Sequence, residues 1–80
     1  MHNIQPISLY EAPKNNVLLV ASIPQIQLLE SMGLRTGTQV IVQNRYSLGG
    51  PVLLRVDGAY NLALGKDIAQ QIAVKEAVAT

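Results

Sequence analysis

Apolar residues in this chain come in short runs, each cut off by turn formers before it can become a long helix. Val17-Leu18-Leu19-Val20-Ala21 stops at Ser22-Ile23-Pro24, and Val40 and Val42 share one face, with Gln39, Ile41, Gln43 and Arg45 on the other, before Leu48-Gly49-Gly50-Pro51. Val52, Leu54 and Val56 alternate up to Asp57-Gly58, Tyr60, Leu62 and Leu64 up to Gly65, and Ile72 and Val74 repeat the pattern near the end. A period of two puts alternate side chains on opposite faces of a strand. Strands this short, within about 60 residues, would leave edges and an apolar face in water if the sheet stayed open. A small, strongly bent antiparallel barrel removes both problems. The expected fold is therefore mainly β: a small barrel of about five antiparallel strands with one short helix.

The helix is expected between the first two strands. Ser22 is placed to act as its N-cap and Gln25 to complete a capping box, with Pro24 tolerated in the first turn. Ile26, Leu29 and Met32 recur at threes and give one apolar face, which a helix this short must bury to persist. Gly33 follows as the left-handed stop residue, and Leu34 is placed to fold back on Leu29. Gly37 sits in the turn Arg35-Thr36-Gly37-Thr38 that leads into the next strand. Asp57-Gly58 is a two-residue hairpin signal. Gly49, Gly50, Gly58 and Gly65 fall where a barrel needs corners, and residues 65–70 read as one helical turn.

Eighty residues make one domain, with a core expected over about 7–76 and loosely held termini. With no Phe, no Trp and only three Tyr, the core must be built from Val, Leu and Ile. No cysteine is present, which excludes a disulfide framework, a Cys-based zinc site and a thiol nucleophile. The net charge of +1 is spread singly, without the basic stripe that neutralises phosphates, so nucleic acid is not an expected partner. No apolar run approaches the roughly 20 residues that span a bilayer. Met1-His2-Asn3-Ile4-Gln5 lacks the character of a signal peptide, so the expected compartment is the cytoplasm.

Reactive chemistry is sparse. The single histidine, His2, stands in the N-terminal segment, and no carboxylate is spaced to partner Glu30 or Asp57 as an acid–base pair, so no catalytic residue is assigned. His2, Glu11, Glu30, Asp57, Asp67 and Glu76 are the available metal donors. None has a ligand spacing, and they read as solvated surface groups, so neither a metal nor another cofactor is assigned. The candidate recognition element is the loop Leu48-Gly49-Gly50-Pro51, with Arg45, Tyr46 and Arg55 flanking it on adjacent strands.

Met32-Gly33-Leu34-Arg35-Thr36-Gly37-Thr38-Gln39-Val40 resembles the "(M/L)GL-x-x-G-x-x-V" segment of the FeoA family. Leu48-Gly49-Gly50-Pro51-Val52, followed by Arg55-Val56-Asp57-Gly58-Ala59-Tyr60, resembles that family's "LGGP…R-x-x-G-Y" stretch, and Leu62-Ala63-Leu64 its "LAL". The resemblance implies an SH3-like barrel that works in the cytoplasm as a non-enzymatic accessory to FeoB, the bacterial ferrous-iron permease with a cytosolic GTP-binding domain. It implies a second option as well, because the same barrel resembles the C-terminal domain of DtxR-type iron-dependent repressors: a domain that senses a transition metal ion. Self-association is left open. Where the family often has a basic run entering the helix, this chain has Gln25-Ile26-Gln27, so electrostatic docking through that run is not expected.

Overall fold

The computed structural model describes residues 5–77. Six strands form one sheet: β1 (Ile7–Ser8), β2 (Val17–Ser22), β3 (Gln39–Arg45), β4 (Val52–Val56), β5 (Tyr60–Leu64) and β6 (Ala73–Glu76). Their order is β1-β6-β2-β3-β4-β5, and every neighbouring pair is antiparallel. A 3-10 turn (Leu9–Glu11) and two short helices, α1 (Gln27–Ser31) and α2 (Lys66–Ala69), fill the connections. The fold is mainly β, as the alternation predicts, with one strand and one helix more than that tally. The extra strand, β1, is only two residues long and carries no readable periodicity of its own. It exists because Ile7 and Ser8 pair with Val74 and Ala73.

Alternation decides what is inside. Val52, Leu54 and Val56 of β4 are all fully buried, with Leu53 and Arg55 between them only half-buried. Val40 and Val42 of β3, Leu18 and Val20 of β2, Leu64 of β5 and Val74 of β6 face the same cluster, and Leu29, Leu34 and Ile72 close it. Each such side chain contributes about 1.5–3 kcal/mol by leaving water, which a thin core of aliphatic residues needs from nearly every member.

Two β-bulges change which residues face inward. The β3–β4 register shifts between Val42 and Asn44, so that Asn44 lies opposite Leu53 and Arg45 opposite Val52. Strict alternation puts Arg45 on the outer face with Gln39 and Ile41; the extra residue, Gln43, turns it onto the inner face beside buried Val52. The β2–β6 register shifts in the same way between Val20 and Ser22. Ser22 therefore pairs with Ala73 and is exposed at the end of β2.

That pairing corrects the expected helix start. Ser22 belongs to a strand, so its hydroxyl is not available to cap α1, and the Ser22–Gln25 capping box does not form. The helix begins later, at Gln27, behind Ile26, which makes no side-chain cap hydrogen bond. Residues 23–26 cross between strand and helix, with the Ile26 amide donating to the Pro24 carbonyl at 2.8 Å. The helix end follows the sequence pattern closely. Gly33 has φ +84°, the Leu34 amide donates to the Leu29 carbonyl at 3.0 Å and the Gly33 amide to the Glu30 carbonyl at 3.0 Å. These are the two hydrogen bonds of a Schellman stop, and Leu29 and Leu34 are both buried. Leu29 is the buried member of the helix face, while Ile26 and Met32 pack partly buried against the core.

The following turn is tied to β2. Thr38 donates its amide to the Arg35 carbonyl at 3.0 Å across Gly37, whose φ of +95° suits only the third residue of such a turn. The Gly37 amide reaches the Val20 carbonyl at 2.8 Å, and buried Thr38 accepts the Arg35 amide on Oγ1 at 3.1 Å. At the β4–β5 hairpin, Val56 pairs with Tyr60, so the connection is three residues rather than two. Asp57 and Gly58 hold φ of +53° and +66°, and the Ala59 amide closes the turn on the Val56 carbonyl at 2.9 Å.

Candidate functional site

The loop expected to carry recognition joins β3 to β4 at one end of the sheet. Its neck is held by the Tyr46 amide donating to the Pro51 carbonyl at 3.1 Å, and its tip by the Gly50 amide donating to the Ser47 carbonyl at 3.3 Å. The two central residues, Leu48 and Gly49, have φ of +61° and +78°. This is the mirror-image turn that matches the twist of a hairpin, normally built from Asn or Gly. Leucine here is unusual, because its β-carbon crowds the backbone in the left-handed region. Its side chain is fully exposed at 103% relative accessibility, and Tyr46 beside it is half-exposed. A β-carbon on Gly50 would lie 2.8 Å from Tyr46 Cβ, so only glycine lets the Tyr46 side chain keep its place.

Beneath the loop, Arg45 points inward and donates from Nη2 to the Ala12 carbonyl. Its Nε is buried without a partner. The guanidinium carbon lies 5.9 Å from the centre of the Tyr10 ring, and Lys66 Nζ lies 5.5 Å from the same centre. Two cations thus share one aromatic ring, a favourable arrangement for each with the ring's negative face. The Lys66 stem also runs beside the turn, with Cδ 3.8 Å from where a β-carbon on Gly49 would sit. Tyr10 and Lys66 were not singled out from the sequence. They come from the 3-10 turn and the start of α2, which are docked on each other, and no local pattern links them to residues 45–51.

Arg55 does not join this group. It pairs with Ile41, three residues along β4 from Val52, roughly 10 Å away at about 3.4 Å per residue. Its guanidinium is turned to the opposite end of the sheet, donating to the Gly58 carbonyl at 3.0 Å and to Asn61 Oδ1 at 3.3 Å. Alternation placed Arg45 and Arg55 on one face; the bulge at Gln43 separates them.

Among the described residues no group of three or more His, Asp or Glu side chains comes together. His2 lies outside the described residues. Among the described residues no helix is long and apolar enough to cross a membrane. An open groove of about 620 Å³ runs between the 23–27 segment and the 34–36 turn, with Pro24, Ile26, Glu30 and Arg35 along its walls. Of the apolar face of α1, expected mainly as core, Leu29 is buried, while partly buried Ile26 also lines this groove.

A fold of this kind is known in solved structures. The chain superimposes on the crystal structure of an iron uptake regulatory protein (FeoA) with a TM-score of 0.79 and 28% sequence identity, covering 91% of this chain and 99% of that one. The solution structure of a FeoA-like protein from Clostridium acetobutylicum gives a TM-score of 0.77 at 26% identity, covering 95% and 92% of the two chains. A manganese-dependent transcriptional repressor gives a TM-score of 0.82 at 21% identity; this chain spans 45% of its length, and the likeness there is one of fold. No curated protein matches the sequence. The FeoA domain model matches residues 7–76, from the first residue of β1 to the last of β6. This chain, an SH3-like barrel of six strands, belongs to the FeoA family.

Proposed function

We propose that this chain is a non-enzymatic, cytoplasmic interaction module that supports ferrous-iron uptake by contacting the cytosolic part of a FeoB-type permease. The observation that carries the reading is the family match over 7–76, which takes in the whole sheet. The structure is consistent with it. A rigid antiparallel frame holds an exposed turn at one end, where Tyr46, Leu48 and Lys66 are presented to solvent, and rigid frames with exposed loops are a common basis for recognition. The proposed contact needs no metal or other cofactor held by this chain.

The reading is tested by deleting the gene and measuring uptake of radiolabelled ferrous iron, with the wild-type gene returned on a plasmid as control. Loss of uptake that the plasmid restores is the expected result. Normal uptake in the deletion strain, together with no association between the purified chain and the permease's cytosolic domains, overturns it.

A further inference from the structure

We propose that Leu48 is a docking peg: it inserts into an apolar pocket on the partner protein whose rim carries a carboxylate that meets Lys66. The inference deepens the interaction reading above and rests on it.

The first ground is the backbone. Leu48 occupies the left-handed region at φ +61°, where glycine or asparagine would sit without strain. Glycines occupy the next two positions, so the turn has the right chemistry everywhere except at its tip. Strain held at an exposed turn points to a use for the side chain that causes it. The second ground is exposure. Leu48 makes no use of its side chain within the fold, being 103% exposed, whereas Leu18, Leu54 and Leu64 of the sheet's inner face are buried. Its position is nevertheless well defined, because the hydrogen bonds at Ser47–Gly50 and Tyr46–Pro51 fix the turn on a two-stranded stem.

The third ground is charge. Lys66 runs along the turn and, with Arg45, shares the Tyr10 ring. Glu11 and Asp67 are next to Tyr10 and Lys66 in sequence, yet among the described residues neither forms a hydrogen bond or ion pair with the two cations. Lys66, exposed behind the apolar tip and without a carboxylate partner among the described residues, complements an acidic rim around an apolar hole. A protein pocket fits better than a bilayer surface. One leucine suffices as an anchor when a pocket desolvates it completely, whereas lasting attachment to a membrane takes a broader apolar face or a second anchoring signal.

The chemistry of the turn supplies variants that separate docking from folding. Leu48→Asn and Leu48→Gly both relieve the backbone strain and remove the peg. Both are expected to unfold at the same temperature as the wild type or higher. In calorimetric titrations against the purified cytosolic domain of the permease, both are expected to bind about tenfold more weakly or worse. Wild-type affinity is expected to fall as salt is raised, through the Lys66 contact. Equal binding by wild type and Leu48→Asn overturns the peg and leaves the accessory reading standing. No binding by the wild type overturns both. A parallel sedimentation with vesicles of phosphatidylglycerol and phosphatidylcholine decides the other surface: capture of wild type but not Leu48→Asn overturns the protein pocket in favour of lipid.

Discussion

Gly33 is the position where one added methyl group has the most to disturb. Its φ of +84° lies in the region that a residue with a β-carbon avoids, at about 1–2 kcal/mol for alanine. It also lies against β5. The Tyr60 hydroxyl donates to the Met32 carbonyl, one residue back, and a β-carbon on Gly33 would stand 2.6 Å from that hydroxyl oxygen. Gly33→Ala therefore strains the Schellman stop and also displaces Tyr60, whose hydrogen bond is worth about 1 kcal/mol. The two effects sum to about 2–3 kcal/mol, a large share of the stability of a domain this small. They correspond to a fall in Tm of about 8–24 °C, since each kcal/mol moves an 80-residue domain by about 4–8 °C.

A double-mutant cycle separates the terms. Tyr60→Phe alone removes the hydrogen bond and costs about 1 kcal/mol or less, because Tyr60 is 39% exposed. In Gly33→Ala/Tyr60→Phe the hydroxyl that collides with the new methyl group is gone. The double variant is then no less stable than Gly33→Ala alone, with a coupling of about 1 kcal/mol in favour of the pair. Urea unfolding followed by far-ultraviolet circular dichroism gives all four free energies. Strict additivity of the two single costs would refute the claim that Gly33 is glycine partly to make room for Tyr60.

Three further outcomes follow from the strand registers. Ser22→Ala should change stability by no more than about 0.5 kcal/mol, the range of ordinary surface substitutions, instead of the ~1 kcal/mol lost with a helix cap; thermal unfolding decides between them. Arg45→Ala should cost about 1–3 kcal/mol, through the charge-assisted bond to Ala12 and the packing of its stem beside Val52. Arg55→Ala, with its partners on the exposed side of the sheet, should cost about 1 kcal/mol or less in the same urea titration.

The parts of this fold that were legible in the sequence are those where one local rule acts alone. Val52, Leu54 and Val56 are buried because period-two alternation runs unbroken along β4. Gly33, Leu34 and Gly37 were readable because a helix stop and a glycine turn are complete within a few residues. What was not readable depends on register between strands. The extra residue at Gln43 reverses the faces of everything after it in β3, which sends Arg45 inward and leaves Arg55 at the far end. The shift after Val20 likewise turns a plausible capping serine into the end of a strand. Nothing within either segment marks these insertions, since a bulge is defined by its partner strand. The candidate loop is a connection between two strands, as the glycines suggest, but its neighbours Tyr10 and Lys66 arrive from elsewhere through tertiary docking. Leu48 was read as one member of the candidate loop among others, and only its backbone angle sets it apart from the glycines beside it.

The most direct test of the interaction reading is a nuclear magnetic resonance titration of the labelled chain with the cytosolic domain of the permease. The account predicts saturable amide shifts concentrated at Tyr46 to Pro51, at Lys66 and around Tyr10, with residues of the opposite end, such as Asp57 to Tyr60, unmoved. Absence of any shift at saturating partner would contradict it.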